Sequence, residues 1–270
     1  MTTATHVITV CSVDRRGHLL RQLDGVRRWM PEAVHHTVQI GAADFPIRGS
    51  SVVDHTGSGD VNLSAARNAG GDAAVEAGAD HLVFLDADCV PGPDLGRLYE
   101  LAVREHPSAV VCGPVTYLPE PAAHTGPVEL SDLSRMTSPH PARPNPPTGH
   151  LQPATAAEYE LFWSLSFAVS ANLWKRLRRE TGGFCERYTG YGGEDTDFAM
   201  LLRQEGIPMV WVGGAHAYHQ WHAVSSPPVE HVDAVLRNAE LFRQRWGWWP
   251  MRGWLEAFTQ RGLITWPPPA

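Results

Sequence analysis

The sequence reads as one α/β domain built on a mostly parallel central sheet with flanking helices. Three observations carry that reading. Short apolar runs rich in β-branched residues alternate with stretches of helical period, as strand–helix–strand units do. The chain has 270 residues, 43% of them hydrophobic, and no long low-complexity linker splits it into self-sufficient halves, so one core can serve it all. The apolar run HLVFL ends directly in paired aspartates, and open α/β sheets place ligands outside the carboxyl ends of their strands.

In order, residues 6–11 (HVITVC) predict a buried first strand leading into the polar loop SVDRRGH. A helix over 19–30 follows, with Leu19, Leu20, Leu23, Val26 and Trp29 on one face and Pro31 as its stop. Residues 34–40 form a second strand, and 50–59 read as turn-rich. The alanines of 63–77 predict a helix interrupted at Gly70-Gly71, before the strand 81–85. Asp94 is placed to cap a helix over 95–105. A strand over 109–118 comes next, then a long segment rich in Pro, Ser, Thr and His over 119–153, expected to be a partly mobile loop. A short helix 158–163, a strand 167–170, a helix 172–179, a helix from Glu194 to Glu205, a strand 209–212 and a last long helix 229–245 complete the series. The expected division is 1–118 for a first half that ends in the strand region around the paired aspartates, 119–155 for the loop, 156–225 for a second half with the acidic turn, and 226–270 for a helical extension.

Formal net charge is −7, and the arginine-rich pieces are short and scattered. That argues against a nucleic-acid partner, which calls for a basic stripe. Four dispersed cysteines, Cys11, Cys89, Cys112 and Cys185, form no CxxC and suggest a reduced, cytoplasmic protein. The N-terminus lacks the layout of a signal peptide, and no apolar run approaches the roughly 20 residues that span a bilayer. The tryptophans Trp246, Trp248, Trp249 and Trp254 favour packing against the domain over a peripheral membrane contact.

Four stretches carry chemistry. In FLDADCVPGPD, Asp86 and Asp88 lie two apart at a strand end, on one side of an extended segment. Hard divalent cations take one or two such carboxylates plus phosphate oxygens, although aspartates in turns also bond to the backbone. In NLSAARNAG, a helix start with Ser64, Arg67 and Asn68 suits phosphate or ribose oxygens, or is a plain alanine-rich helix. In GYGGEDTDF, Glu194, Asp195 and Asp197 crowd a helix start, where the helix dipole favours negative charge. The dipole does not explain the preceding glycines, which let backbone approach a ligand closely; a carboxylate there suits a proton acceptor. In AHAYHQWH, His216, His219 and His222 fall three apart. One imidazole could complete a metal shell, and a three-histidine zinc site competes with that reading.

Taken together and in this order, the chain resembles the GT-A-fold glycosyltransferases of family 2 type, with a C-terminal half similar to the galactosyltransferase (family 7) C-terminal region. The resemblance rests on a first strand leading to Asp14-Arg15, ARNAG at 66–70, FLDADCVP at 84–91, GYGGEDTDF at 190–198 and the late histidine of AYHQWH, and covers about residues 6–225. It implies a single GT-A (Rossmann-like) domain that uses Mn2+ or Mg2+ and transfers a sugar from a nucleotide-sugar donor to a hydroxyl acceptor, with inversion. UDP is the default nucleotide, with GDP and dTDP open. The acceptor is a glycan, a lipid-linked sugar, a peptide or a small metabolite.

The resemblance further implies Asp88 as principal metal ligand, with His219 beside it and His216 and His222 as alternatives. Asp86 would meet the ribose or donor sugar, and Asp14, Arg67 and Asn68 the nucleotide. Asp195 would be the general base and Glu194 would orient sugar hydroxyls. Tyr191 and Gly193 belong to the same turn; Tyr191 stands where tryptophan is frequent in the galactosyltransferases. Residues 1–118 would be the nucleotide-sugar-binding half and 156–225 the acceptor-binding and catalytic half, with Trp163 and the 119–153 loop helping to form the acceptor side. Two rivals remain. A sugar nucleotidyltransferase would need a glycine-rich basic loop after the first strand, where SVDRRGH has one glycine. A non-catalytic sugar- or nucleotide-binding protein would keep the fold without turnover.

Overall fold

The computed structural model describes residues 4–41, 45–56, 61–121 and 126–266. Eleven strands and seven α-helices are formed among them: β1 Thr5–Cys11, α1 Arg16–Trp29, β2 Val34–Gly41, β3 Ser51–Thr56, α2 Leu63–Glu76, β4 His81–Leu85, β5 Cys89–Pro91, α3 Leu95–Glu105, β6 Val110–Cys112, β7 Val115–Tyr117, β8 Leu151–Pro153, β9 Ser166–Ser170, α4 Ala171–Thr181, α5 Glu194–Gln204, β10 Met209–Val212, β11 Ala217–His219, α6 Val232–Trp246 and α7 Arg252–Gln260.

Eight strands make the central sheet in the order β3-β2-β1-β4-β9-β6-β10-β8. The pairs β3·β2, β2·β1, β1·β4 and β6·β10 are parallel, while β9 runs antiparallel between β4 and β6, and β8 antiparallel at the edge. Period-two alternation sends Leu82 and Phe84 of β4 to one face and Val83 and Leu85 to the other. The first face is covered by α2, α4, α5 and α6 through Ala66, Trp174, Phe198 and Phe242. The second is covered by α1 and α3 through Val26, Leu98 and Tyr99. A strand buried on both faces reads as an unbroken apolar run, as HLVFL does.

A second sheet, β5-β11-β7, sits at the carboxyl end of β4. Its registers pair His219 with Cys89 on one side and with Tyr117 on the other. The expected single strand 109–118 is therefore two strands, β6 and β7, in different sheets, separated by Gly113-Pro114. The Cys89–Pro91 segment, read as part of a turn, is a strand of this small sheet.

Other expectations change. Residues 51–56, read as turn, form the parallel edge strand β3 on β2; the expected turn at 57–59 lies outside the described residues. The first helix starts at Arg16 rather than 19, after a 3-10 turn Val13–Arg15. Asp94 does not cap α3 with its side chain; it pairs with Arg97 at 2.9 Å. Residues 119–155 hold a 3-10 segment Leu130–Met136 and strand β8, and bury Leu133. The expected helix at 158–163 is a 3-10 turn, Glu158–Leu161.

The Gly70-Gly71 pair does not interrupt α2; it lets the helix lie close to its neighbours. A Cβ on Gly70 would meet Ile8 and Val38 at 2.6 Å, and one on Gly71 would meet the Trp174 ring at 2.4 Å. That ring is held by a hydrogen bond from its Nε1 to Asp72, so it cannot slide aside freely. Gly71→Ala should therefore lose about 1–3 kcal/mol to overpacking, outweighing the ~1 kcal/mol gained in helix propensity. Gly17→Ala, with open space around its Cβ, should be neutral or stabilising. Urea unfolding of both variants checks this, and a stabilised Gly71→Ala would refute the packing account.

Candidate active site

The site gathers at the carboxyl end of β4. Asp86 continues the face of Leu82 and Phe84, and so meets α2, where Arg67 Nη2 lies 3.3 Å from its Oδ1. The other guanidinium arm, Nη1, reaches Glu194 Oε1 at 3.4 Å. Arg67 is buried, and its guanidinium rests 5.6 Å over the Phe184 ring. Burial works against its charge, but Asp86, Glu194 and Asp195 together hold its pKa above the ordinary value. Burial raises the Asp86 carboxyl despite Arg67.

Glu194 and Asp195 open α5. Three left-handed glycines, Gly190 (φ 76°), Gly192 (φ 91°) and Gly193 (φ 91°), deliver the chain to that start, a path that side-chain-bearing residues rarely follow. Asp195 Oδ1 accepts the Thr196 backbone N–H at 2.7 Å. Burial, then the Glu194 charge, push Asp195 up to about 7, against the Thr196 hydrogen bond and Arg67. Asp197, fully buried, faces elsewhere: its Oδ1 accepts from Tyr188 Oη, Trp246 Nε1 and Arg245 Nε at 3.0, 2.7 and 3.1 Å. It ties the start of α5 to the end of α6.

Asp88 stands on the other side of the turn, beside one guanidinium and two imidazoles. His219 Nε2 lies 3.6 Å from one oxygen and His222 Nε2 3.3 Å from the other, with Arg15 Nε at 3.8 Å. Burial opposes its charge, but the His222 hydrogen bond, both histidines and Arg15 hold its carboxyl below the ordinary value. The β5·β11 register and the Gln220 N–H bond to the Asp88 carbonyl, 2.7 Å, bring His219 here. One ligand atom from each of Asp88, His219 and His222 lies within 4.8 Å of the others, enough for a metal ion among the described residues. A carboxylate with two imidazoles fits a divalent transition ion better than Mg2+, which favours all-oxygen shells.

Among the other expected residues, His216 and Asn68 have partners outside these clusters. His216 does not join the cluster; it packs against Tyr218, and its backbone carbonyl bonds Gly92. Asn68 is fully engaged with the 182–186 segment, donating to Phe184 O and Glu186 Oε1 at 2.9 Å and accepting from Phe184 N. Asp14 is exposed in the 3-10 turn after β1. Tyr191 is exposed and stacks between His231 (4.8 Å) and Trp254 (5.8 Å), so the C-terminal helices reach the glycine turn.

Sequence reasoning missed Arg15 as a partner of Asp88, and His222 as an equal of His219. It also missed the aromatic row that leads away from the metal cluster: His219 on Tyr117 at 4.5 Å, Tyr117 on His140 at 5.6 Å, and His140 on Trp163 at 4.9 Å. Buried Arg143 lies between Trp163 and Trp211, 5.2 and 5.0 Å from their rings. The one signal available was Asp14-Arg15 beyond a buried strand, where a sheet's ligand edge lies.

The Asp195 carboxyl has a testable consequence. Its folded-state pKa, about 7, lies above that of an unfolded aspartate. It therefore contributes stability that is complete below about pH 4 and is lost as pH rises through about 7. In urea unfolding across pH, the stability of the protein relative to Asp195→Asn should fall over that window and level off above it. A flat difference would show that the carboxyl is not raised.

No family model and no curated protein matches the chain. Solved structures do share its architecture. GalNAc-T7 with UDP, GalNAc and Mn2+ aligns with a TM-score of 0.58 over 99% of this chain and 58% of that one, at 14% identity. S. aureus TarS 1-349 gives 0.56 over 88% of this chain and 65% of that one, at 13% identity. The same TarS piece in complex with UDP-GlcNAc gives 0.60 over 96% of this chain and 76% of that one, at 10% identity. The chain thus spans less than two thirds of the first two. Its central sheet, mostly parallel with helices on both faces, is that of the GT-A glycosyltransferase fold.

Proposed function

We propose that the chain is a metal-dependent glycosyltransferase that moves a sugar from a nucleotide-sugar donor, UDP-linked by preference, to a hydroxyl acceptor with inversion at the anomeric carbon. The observation that carries this reading is one carboxylate, Asp195, poised near neutrality, set across an Arg67 bridge from a carboxylate–imidazole cluster suited to a cation. The likeness to structures holding UDP with Mn2+ and UDP-GlcNAc supports the donor class.

Asp88, His219 and His222 would hold the divalent cation, which would supply positive charge to the donor's diphosphate. Arg15, beside Asp88, and Arg67 add charge on either flank of that position. Asp86, fixed by Arg67, and Glu194 are placed to accept hydrogen bonds from donor hydroxyls. Asp195 takes the acceptor's hydroxyl proton while that oxygen bonds to the anomeric carbon. The bond from that carbon to the diphosphate breaks, and its electron pair leaves with the nucleoside diphosphate. A base of pKa near 7 combines a large ionised fraction with useful proton affinity at neutral pH. The row Tyr117, His140 and Trp163 gives the acceptor side apolar faces on which sugar rings pack.

Thermal unfolding with UDP, GDP, dTDP and ADP, each with and without Mn2+, tests the donor. UDP should raise the melting temperature only with Mn2+, and Asp88→Ala should abolish the rise; no shift with any nucleotide would overturn the reading. Asp195→Asn should keep the UDP–Mn2+ shift yet lose roughly 10²–10⁴-fold in UDP-sugar turnover. A near-full rate would remove Asp195 from the base role.

A further inference from the structure

Each acid-bearing turn is held from behind by one buried side-chain amide. Gln22 of α1, fully buried, donates from Nε2 to the carbonyls of Leu85 (3.3 Å), Asp86 (2.6 Å) and Cys89 (3.0 Å), which bracket Asp86 and Asp88. Its Oε1 accepts from Thr9 Oγ1 at 2.8 Å and lies 3.2 Å from His35 Nε2, so the amide cannot turn over without losing these partners. Asn238 of α6, 1% exposed, donates from Nδ2 to the carbonyls of Thr189 (3.0 Å), Tyr191 (3.2 Å) and Gly192 (2.9 Å), which lead into Glu194 and Asp195. In both cases one NH2 group serves three acceptors with two hydrogens.

The need for such a clamp follows from the chain itself. Three glycines at positive φ leave the 190–193 turn with little side-chain bulk to define it, and glycine backbones have the widest conformational choice. Hydrogen bonds from α6, by Asn238 and by Arg237 to the Thr189 carbonyl, together with the Gly190 N–H bond to the Val61 carbonyl (2.7 Å), then decide where the turn lies, and Asn238 reaches furthest along it. The helix start that follows inherits that position, and with it the direction of the Asp195 carboxylate. Around Asp195 stand Glu194 on its own helix, Arg67 from α2, Asp86 after β4 and Tyr191 in the turn, so a small displacement changes its surroundings.

We propose that Gln22 and Asn238 are positioning residues, Gln22 setting the turn that presents Asp88 to a cation and Asn238 setting the turn that presents Asp195 to the acceptor hydroxyl. This rests on the functional reading above, but its test separates from it. Gln22→Met and Asn238→Leu remove the donors at nearly constant volume, with Ala at either position should a variant not fold. Two readouts are taken on the full chain: the titration midpoint of the Asp195 carboxyl by 13C NMR, assigned by its loss in Asp195→Asn, and the affinity for UDP with Mn2+.

Asn238→Leu should move the Asp195 midpoint by about one pH unit or more and leave UDP–Mn2+ binding unchanged. Gln22→Met should weaken Mn2+-dependent binding by about tenfold or more, the usual effect of losing an outer support of a metal ligand, and leave the Asp195 midpoint in place. The proposal is overturned if neither readout moves, or if both variants shift both readouts in step with a fall in melting temperature. Should the parent protein take no UDP with Mn2+, the functional reading fails separately. The Asp195 midpoint then still decides Asn238, and Mn2+ alone decides Gln22.

Discussion

The site depends on a single buried guanidinium. Asp86, Glu194 and Asp195 come from two distant parts of the chain and converge in a place that water only partly reaches. Like charges about 4 Å apart at an effective dielectric of about 20 repel by roughly 4 kcal/mol, so three carboxylates would drive the two turns apart. Arg67, bonded to Asp86 with one arm and to Glu194 with the other, reverses that sign. Its planar fork suits this two-sided task in a way a lysine would not. Removing it would leave buried acids unpaired, which is far costlier than the pair itself is stabilising. Arg67 therefore joins the 81–88 strand and turn to the 190–197 turn and helix, and opposes the rise that burial and Glu194 give Asp195.

The sheet and the acids were legible because their signals are local. HLVFL is apolar at every position since β4 is buried on both faces, and its abrupt end in Asp86 marks the sheet's edge. The alanine-rich helix that carries Arg67, and the glycine turn before Glu194, could be read from composition alone. The glycine pair inside α2 misled, because Gly70 and Gly71 signal close packing against Ile8 and Trp174 and not a break. β3 was hidden for the opposite reason: an edge strand with polar residues between turns has no apolar run to announce it.

What the sequence withholds is set by pairing over long separations. His219 sits beside Asp88 because β11 registers against β5, and nothing within AHAYHQWH distinguishes His219 and His222 from His216. The split of 109–118 between two sheets follows from the same small sheet, since β7 must leave the main one to pair with β11. Gln22 and Asn238 look like ordinary polar residues on amphipathic helices; only the fold shows that each points inward at three carbonyls.

The crowding of EDTD at one helix start then has a geometric answer. Successive residues of an α-helix point about 100° apart, so adjacent carboxylates in sequence diverge in space. Glu194 turns toward α2 and pairs with Arg67. Asp197 turns into the protein, where its Oδ1 is held by Tyr188, Trp246 and Arg245. Asp195 lies between them, and among the described residues its hydrogen-bond donors are the Thr196 backbone N–H and, at 3.5 Å, the Thr196 hydroxyl. Burial and then the Glu194 charge raise it, against the Thr196 hydrogen bond and the more distant pull of Arg67. Two of the three acids are held by cations and indole or phenol donors, and this leaves the third able to exchange a proton near neutral pH. The helix dipole, worth roughly 0.3–1 kcal/mol per charge, makes the arrangement tolerable but does not distinguish its members; their directions do.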